Sequence, residues 1–292
     1  MSDRQVVLVT GASAGFGRLM VETFARAGYR TYAAMRAPSG KNAAAREEIE
    51  ALAAGGLPLS VVALDVTSDE EVAAAVARVL SEAGRIDVVI NNAGVGLIGL
   101  TECTTVDQMR FLFETNVFSA QRLNRAVLPH MRARRTGLLV HVASTLGRMV
   151  MPAVVPYCTT KWALEALAEG YRHELTGTGV DSVIVEPGLY PTNLESNSLA
   201  HADTARAEGY GPMGPIAESF GGVLQTMLGP VPPSPQEVAD AVLALVQTPC
   251  GERPLRTVIG RDAGGPIPAL NGISDQIGAA VSQALGLAGE RV

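Results

Sequence analysis

Cysteine is scarce in this sequence. Only three cysteines occur, and no two of them form a Cys-x-x-Cys pair. The four histidines also lack a ligand-like spacing such as His-x3-His. Cysteine and histidine at fixed spacings are the usual sign of a disulfide framework or a metal site. We therefore predict no metal and reduced thiols, which is the state expected of a protein in the cytoplasm.

Positive charge is scarce as well. Lysine and arginine number 23 against 29 acidic residues, which makes the net charge −6. A nucleic-acid-binding surface needs concentrated basic residues, so we do not expect nucleic acid as a partner. No apolar run approaches the roughly 20 residues of a membrane-spanning helix. No secretory pattern precedes the first strand-like run, so we expect neither a leader nor a membrane span.

Apolar residues make up 47% of the 292 residues, which is enough for a sizeable core. Short apolar runs alternate with helical patterns, which is typical of an α/β protein with a parallel sheet. Strands are predicted at 5–10, 30–35, 59–66, 86–90, 137–143, 180–186 and 255–260. A single long helix is predicted at 105–135, with a kink or break at Pro129. A C-terminal amphipathic helix is predicted at 273–287.

A glycine-rich turn follows the first strand. Gly11, Gly15 and Gly17 have the spacing G-x3-G-x-G and precede a helical run. Glycine lets a backbone approach a pyrophosphate closely, and a helix N-terminus favours its negative charge. An ordinary glycine turn is the alternative interpretation, but the order strand, turn, helix favours a dinucleotide site.

Arg36 directly follows the second predicted strand. An acidic residue at this point would bind the ribose 2′-hydroxyl of NAD, but Met35 stands before Arg36 instead. The planar guanidinium of arginine pairs well with a 2′-phosphate, and Ser13 offers an additional hydroxyl. We therefore predict a preference for NADP(H). NAD(H) remains the alternative, and a surface arginine is the structural alternative for Arg36.

Tyr157 and Lys161 are four residues apart in a helical run predicted at 157–175, so they share one helix face. An ammonium group one turn away is expected to lower the pKa of the phenol, which would make the pair a general acid/base. Ser144 stands at the tip of the fifth strand, 13 residues before Tyr157. Two hydroxyls so placed are expected to converge on one substrate oxygen. A solvated helix face is the alternative for the Tyr157–Lys161 pair.

Several motifs in a fixed order cover roughly residues 5–192: Thr10-Gly11-x3-Gly15-x-Gly17, Asp65, Asn91-Asn92-Ala93-Gly94, Asn116, Ser144, Tyr157-x3-Lys161 and Pro187-Gly188-x3-Thr192. In them the chain resembles the short-chain dehydrogenase/reductase family, in its single-domain branch. One departure is Phe16, where the family usually has isoleucine; its side chain is expected to pack. The resemblance implies a doubly wound Rossmann fold: a seven-stranded parallel sheet with helices on both faces, in one domain over residues 1–292.

The same resemblance implies catalytic roles for four residues. Tyr157 gives a proton to the carbonyl oxygen during reduction and takes one from the alcohol during oxidation. Lys161 lowers the pKa of Tyr157 and binds the nicotinamide ribose, while Ser144 holds the substrate oxygen. Asn116 keeps a water that links Lys161 to solvent. The implied cofactor contacts are Gly11, Ser13, Gly15, Phe16, Gly17, Arg36, Asp65, Val66, Asn92, Ala93, Gly94, Tyr157, Lys161, Pro187, Gly188 and Thr192.

The chain divides into a cofactor and catalytic core (5–192), a substrate lid (193–235), and a last helix, strand and C-terminal helix (236–292). The lid segment is long, rich in glycine and proline, and partly helical at 216–228. The C-terminal helix is expected to cover the core, the lid or another subunit. The expected substrate pocket is apolar: Leu97, Ile98, Leu146, Met149, Val150, Met151, Val154, Leu189 and Tyr190. Arg148 is expected to point to solvent, and no second arginine is evident to hold a carboxylate.

These observations predict an NADP(H)-dependent oxidoreductase that interconverts a medium-sized, mainly hydrophobic ketone or aldehyde and its alcohol. The alternatives are an NAD(H)-dependent alcohol dehydrogenase and a non-catalytic regulator that senses dinucleotides. The regulator is disfavoured because such a protein would be expected to lose the tyrosine or the lysine. We expect a cytoplasmic homodimer or homotetramer.

Overall fold

One parallel sheet organises the protein. The computed structural model describes residues 4–192 and 198–287. Seven strands are hydrogen-bonded in the order β3-β2-β1-β4-β6-β7-β9, all parallel, and β5 and β8 form a small separate sheet. The strands are β1 (Val6–Thr10), β2 (Arg30–Met35), β3 (Leu59–Ala63), β4 (Val88–Asn91), β5 (Leu97–Ile98), β6 (Gly137–Val142), β7 (Val180–Pro187), β8 (Leu199–Ala200) and β9 (Arg256–Ile259). The predicted seven-stranded parallel sheet is confirmed.

Helices cover both faces of this sheet. They are α1 (Gly15–Arg26), α2 (Ala43–Ala54), α3 (Asp69–Ala83), α4 (Val106–Phe113), α5 (Ser119–Arg134), α6 (Val155–Glu174), α7 (Met213–Glu218), α8 (Phe220–Leu228), α9 (Gln236–Gln247) and α10 (Pro266–Ala284). Helices α1, α2 and α9 pack on one face, and α3, α5 and α6 pack on the other. This arrangement confirms the predicted doubly wound fold.

The apolar run in β1 shows why the strands are hydrophobic throughout. Val7 and Val9 pack with α1 and α9 on one face, whereas Val6 and Leu8 pack with α3 and α5 on the other. All five residues of β1 are buried. Successive side chains of a strand point to opposite faces, so a strand covered on both sides needs apolar residues at every position.

The long helix predicted at 105–135 is interrupted. A π-helical turn at Glu114–Phe118 separates α4 from α5, and Asn116 lies in that turn. Of the kink or break expected at Pro129, the break is absent, because α5 continues through Pro129 to Arg134. The C-terminal helix also begins earlier than predicted, at Pro266. Pro266 occupies the first turn of α10, where a missing N–H costs no intrahelical hydrogen bond.

The strand order reverses between β1 and β4. From β1 the chain proceeds outward through β2 to β3, and from β4 it proceeds outward in the other direction. Ligands of open parallel sheets bind at such a switch point, outside the carboxyl ends of the strands. The glycine turn follows β1, and the Asn-Asn-Ala-Gly segment ends and follows β4. The fold therefore brings both motifs to one crevice.

The segment predicted as a substrate lid packs over the carboxyl edge of the sheet. Its strand β8 pairs with β5, and Ala217 and Phe220 join a buried cluster with Val154 and Cys158. Residues 193–197 of the predicted lid lie outside the described residues. Across 4–192 and 198–287, no helix has both the length and the apolar character needed to cross a bilayer.

Candidate active site

The glycine turn requires glycine for two different reasons. Gly11 and Gly15 have φ values of +66° and +55°, a left-handed conformation that side chains disfavour. At Gly17 the constraint is steric instead. A Cβ there would lie 2.3 Å from the Gly11 carbonyl oxygen and 2.6 Å from Nδ2 of Asn92. The turn and the segment after β4 are therefore in direct contact.

Hydrogen bonds from Thr10 join the ends of β1 and β4. The Thr10 hydroxyl accepts from the backbone N–H groups of Asn92 (3.0 Å) and Ala93 (3.1 Å), and it donates to the Ile90 carbonyl. In return, Nδ2 of Asn92 donates to the Thr10 carbonyl at 2.8 Å. The side chain of Asn92 thus holds backbone groups of the first strand and leaves the crevice in front of the turn open.

Gly15 and Gly94 lie in the segments that follow β1 and β4 at that crevice. Among the described residues, a Cβ at Gly15 would meet only Thr192, at 3.9 Å, whereas a Cβ at Gly94 would contact Oδ1 of Asn116 (3.4 Å), the Asn92 carbonyl oxygen (3.9 Å) and Nζ of Lys161 (3.9 Å). The crevice therefore runs from the N-terminus of α1 toward Lys161. Main-chain N–H groups at one end and an ammonium group at the other form a donor set that fits a dinucleotide.

The side chain of Asn116 has three protein partners. Its Oδ1 accepts from the Val95 N–H (2.8 Å), and its Nδ2 donates to the Val95 carbonyl (2.9 Å) and to Oγ1 of Thr160 (2.9 Å). These bonds tie the π-helical turn to the loop after β4 and to α6. A role of Asn116 in holding a water stays a prediction.

Ser144, Tyr157 and Lys161 meet at the end of β6. The hydroxyl of Ser144 accepts from the Leu146 N–H at 3.1 Å and points toward the Pro187 carbonyl at 3.5 Å. Lys161 donates to the Val142 carbonyl at 2.8 Å, and its Nζ lies 5.5 Å from the centre of the Tyr157 ring. Tyr157 is 8% exposed and Lys161 4% exposed. The expected juxtaposition on α6 is therefore present, but both groups are deeply buried.

Burial determines the ionisation of this pair. Burial raises the pKa of Tyr157, and a hydrogen bond with Ser144 offsets only part of the rise. Burial also lowers the pKa of Lys161 from 10.5 to about 8. Burial therefore outweighs any lowering of the Tyr157 pKa in the protein alone, and the expectation that Lys161 lowers this pKa stays a prediction. Tyr157 keeps its proton at neutral pH, which suits a proton donor.

Arg36 and Asp65 lie together at the ends of β2 and β3. Nη1 of Arg36 is 3.9 Å from Oδ2 of Asp65, and both side chains are partly exposed. Burial raises the pKa of Asp65, but two hydrogen bonds from Thr67 and the nearby Arg36 outweigh it and hold the pKa below its usual value. Ser13 is half-buried and Val66 is buried. Because the contact of Arg36 with Asp65 is long, its guanidinium remains available to an anionic ligand.

An apolar cavity of about 250 Å³ adjoins Ser144 and Tyr157. It is lined by the predicted Leu97, Ile98, Leu146, Met149, Met151, Val154, Leu189 and Tyr190. Val150 was also predicted but does not line it, and its side chain is 59% exposed. Phe16 both packs and lines the cavity, with its ring centre 5.5 Å from that of Tyr190.

Further cavity walls come from parts of the chain that the sequence argument did not assign. Helix α8 contributes four apolar residues, and Arg261 and Asp262 follow β9. The helical pattern at 216–228 was a usable signal for α8. Arg261 and Asp262 come shortly after the carboxyl end of a parallel strand. Ligand-binding residues concentrate at such ends, so this position could have identified both residues from the sequence.

Two arginines, Arg148 and Arg261, lie in positions that the sequence did not predict. Arg148 is half-buried rather than solvated: its guanidinium donates to Ser274 on α10 and lies 6.0 Å from the Trp162 ring centre. A second arginine, Arg261, does line the cavity. Its Nη1 and Nη2 donate to backbone carbonyls of Met227 (3.2 Å) and of the segment after α8 (2.7 Å). Arg261 thus tethers the lid segment to the end of β9.

A buried charge cluster lies next to Lys161 and was not predicted. Nε of Arg256 donates to Glu165 at 2.8 Å, and Nδ2 of Asn271 on α10 donates to Glu186 at 2.5 Å. Burial raises the pKa of both glutamates; the charge of Glu186 raises that of Glu165 further. Glu165 lies one helical turn after Lys161 and opposes the fall in its pKa. The C-terminal helix is thereby anchored beneath the site.

No metal-binding arrangement is found in the described ranges. Within 4–192 and 198–287, no group of three or more histidine, cysteine, aspartate or glutamate side chains is placed to hold a metal ion. The three cysteines form no disulfide. Whether the protein uses a metal stays a prediction.

Comparison with known proteins identifies one family. The sequence model described as short chain dehydrogenase matches residues 5–203. A 3-ketodihydrosphingosine reductase from Bacteroides thetaiotaomicron is 34% identical over 206 residues, which cover 70% of this chain and 71% of that protein. Retinol dehydrogenase 8 from Bos taurus is 33% identical over 247 residues, covering 83% of this chain and 78% of that one.

Solved structures show the same fold. A short-chain dehydrogenase from Streptomyces avermitilis is 34% identical, with a TM-score of 0.77 and 97% of each chain covered. Other structures with this fold are complexes with NADPH or with NAD.

Proposed function

Because this chain belongs to the short-chain dehydrogenase/reductase family, we propose that it is an NADP(H)-dependent oxidoreductase for a medium-sized, mainly hydrophobic ketone or aldehyde and its alcohol. Action on alcohol and carbonyl groups is the activity of this family. The observation that carries the finer proposal is the position of Ser144 and Tyr157 in the wall of an apolar cavity, beside the crevice bordered by Gly15 and Gly94.

The residues of the chain have distinct roles in this proposal. A bound nicotinamide supplies the hydride during reduction and accepts it during oxidation. The hydroxyls of Ser144 and Tyr157 hold the substrate oxygen, and Tyr157 gives its proton to that oxygen as negative charge develops there. The ammonium of Lys161 stabilises the resulting phenolate and holds ribose hydroxyls. The phenolate regains its proton from solvent before the next turnover.

The remaining contacts position the cofactor. The glycine turn at 11–17, with Ser13 and Phe16, holds the pyrophosphate end. Asp65 and Val66 contact the adenine of the cofactor. The segment Asn92-Ala93-Gly94 leaves space for the ring at this position. The Pro187–Thr192 segment contacts the nicotinamide. These assignments stay predictions, as do the three-part division of the chain, the cytoplasmic location and the homo-oligomer.

Substrate polarity provides the first test. We expect kcat/KM for acetophenone to exceed that for pyruvate by at least about 100-fold with NADPH, because apolar walls bind apolar groups and Arg261, the arginine of the described cavity wall, already donates to backbone carbonyls. The measurement is NADPH consumption at saturating cofactor with each compound. The two relatives named for retinol and 3-ketodihydrosphingosine support an apolar substrate. An advantage for pyruvate would contradict this interpretation of the cavity.

Cofactor choice provides the second test. Replacement of Arg36 with alanine is expected to weaken NADPH binding by about 10- to 100-fold and to leave NADH binding within about twofold, because only NADPH offers a 2′-phosphate. Dissociation constants from fluorescence titration give both values. Arg46→Ala is a suitable control, since Arg46 lies on α2, where it pairs with Glu50. Equal weakening of both cofactors, or a wild-type preference for NADH, would favour the NAD(H)-dependent alternative.

The non-catalytic alternative predicts cofactor binding without turnover. It is disfavoured because Ser144 and Tyr157 line one cavity and Lys161 lies beside the Tyr157 ring. Incubation with NADPH and a panel of apolar ketones and aldehydes separates the two functions. Consumption of NADPH that depends on the added carbonyl compound supports the enzyme, and binding without consumption supports the regulator.

A further inference from the structure

Asp262 is held beside the proposed catalytic residues by the edge of the sheet. It lies in a one-turn 3-10 helix, Arg261–Gly264, shortly after β9. Strand β9 pairs with β7, and the Gly188 N–H donates to the Ile259 carbonyl at 3.0 Å. A Cβ at Gly188 would lie 2.6 Å from Oδ2 of Asp262. The carboxylate therefore packs against the Pro187–Gly188 backbone and lines the same cavity as Ser144.

Protein groups supply few hydrogen bonds to this half-buried carboxylate. Oγ1 of Thr145, the residue after Ser144, donates to Oδ2 at a long 3.3 Å. In the ranges 4–192 and 198–287, no protein group donates a hydrogen bond to Oδ1. No lysine, arginine or histidine nitrogen of those ranges lies within 4.0 Å of either oxygen. The neighbouring Arg261 is directed away, toward backbone carbonyls of the lid segment.

Several hydroxyl groups and Arg261 also line the cavity, but in the described ranges only Thr145 donates to this carboxylate. The surrounding walls are mainly apolar, with Leu146, Met151 and Leu189 among them, and such side chains donate no hydrogen bond. A ligand that fills the cavity displaces water from this half-buried carboxylate, and that loss is destabilising unless the ligand brings hydrogen-bond donors. A ligand that brings a donor therefore gains a charge-assisted hydrogen bond, and a ligand that brings an anion is repelled.

We propose that Asp262 makes this cavity selective for carbonyl compounds that carry a hydroxyl or amino group next to the reacting carbon. This inference rests on the proposed function and refines its substrate class. Because Thr145 adjoins Ser144, the acceptor stands close to the position of the substrate oxygen. An apolar body would fill the cavity, and the donor beside the carbonyl would bind Asp262.

The test uses three compounds that share a phenyl ketone: acetophenone, α-hydroxyacetophenone and benzoylformate. They place a methyl group, a hydrogen-bond donor and a carboxylate, respectively, beside the same carbonyl. For Asp262→Leu we expect kcat/KM for α-hydroxyacetophenone to fall by about 10- to 100-fold, as for loss of a hydrogen bond to a charged group. The value for acetophenone should stay within about threefold, because that compound offers Asp262 no donor.

A second variant separates charge from shape. Asp262→Asn keeps an oxygen for Thr145 and removes the negative charge, so it decides the outcome if the leucine variant does not fold. It should raise kcat/KM for benzoylformate about 10-fold by removing repulsion, and lower that for α-hydroxyacetophenone several-fold. The matched control is Asp107→Asn, since Asp107 is 86% exposed at the start of α4 and does not line the cavity. It should change none of the three values.

The outcomes are distinguishable. A parallel loss with all three compounds shows a structural role for Asp262 and overturns the inference. Weakened NADPH binding with unchanged ratios among the compounds assigns Asp262 to the cofactor and overturns it as well. If the wild type reduces acetophenone at least as well as α-hydroxyacetophenone, the inference fails and the proposed function stands. If the wild type consumes NADPH with none of the three, the proposed function fails and the inference falls with it.

Discussion

Replacement of Tyr157 with phenylalanine is expected to reduce kcat for ketone reduction by about 10²- to 10⁴-fold, the range typical of a lost general acid. The variant lacks one hydroxyl and keeps the ring that packs at 8% exposure. Affinity for NADPH should therefore stay within about threefold. Stopped-flow reduction of an apolar ketone measures the first quantity, and fluorescence titration of NADPH measures the second.

The same helix offers a matched control. Tyr171 also lies on α6, where its hydroxyl donates to Gln121 at 2.6 Å, and it is not part of the cavity wall. Tyr171→Phe removes an equivalent phenol and should leave kcat within about twofold, at a loss of about 1 kcal/mol in the free energy of unfolding. Near-wild-type turnover of Tyr157→Phe, with an isotope effect from deuterated NADPH showing that hydride transfer is rate-limiting, would refute the assignment of Tyr157.

Gly17→Ala should be the most damaging single-methyl substitution in the glycine turn. The added Cβ would lie 2.3 Å from the Gly11 carbonyl oxygen and 2.6 Å from Nδ2 of Asn92, so backbone must move. Overpacking of this kind costs about 1–3 kcal/mol, and the displaced turn is the expected pyrophosphate site. We expect about 10- to 100-fold weaker NADPH binding and a lower free energy of unfolding, measured by titration and by urea denaturation.

Gly170→Ala is the control for this substitution. Gly170 lies inside α6 with no atom within 4 Å of a Cβ placed there. Alanine in a helix interior is favoured over glycine by about 0.5–1 kcal/mol, so this variant should be slightly more stable and should bind NADPH normally. If Gly17→Ala binds NADPH as tightly as the wild type and unfolds at the same urea concentration, the packing described for the turn is wrong.

Features that depend on short stretches of sequence were predictable. The strands follow from uninterrupted apolar runs, because a parallel strand covered on both faces has no polar side. The juxtaposition of Tyr157 and Lys161 follows from the period of an α-helix, and the place of the glycine turn follows from its position between strand and helix. Each of these inferences uses a repeat or a spacing that is present in the chain itself. The apolar character of the cavity was predictable for the same reason, since most of its walls come from loops near those motifs.

Other features arise only when distant segments meet. Arg256 pairs with carboxylates on α6 and β7, and Arg148 donates to Ser274 on α10. No local sequence pattern predicts these pairs. The π-helical turn around Asn116 is likewise stabilised by contacts with the loop after β4 and with α6. A helix pattern read from 105–135 alone cannot contain those contacts.

The ionisation of Tyr157 shows most clearly which properties follow from the sequence and which follow from the tertiary structure. The sequence by itself determined that a lysine stands one turn away, which favours the phenolate. The tertiary structure decided that the phenol is enclosed, and its burial raises the pKa. The position of Asp262 beside the site could not be predicted from the sequence either. It depends on the pairing of β9 with β7, which brings the carboxylate to Thr145. Spacing along the chain is a local property, whereas solvation and cross-sheet proximity are set by every segment that packs around a group.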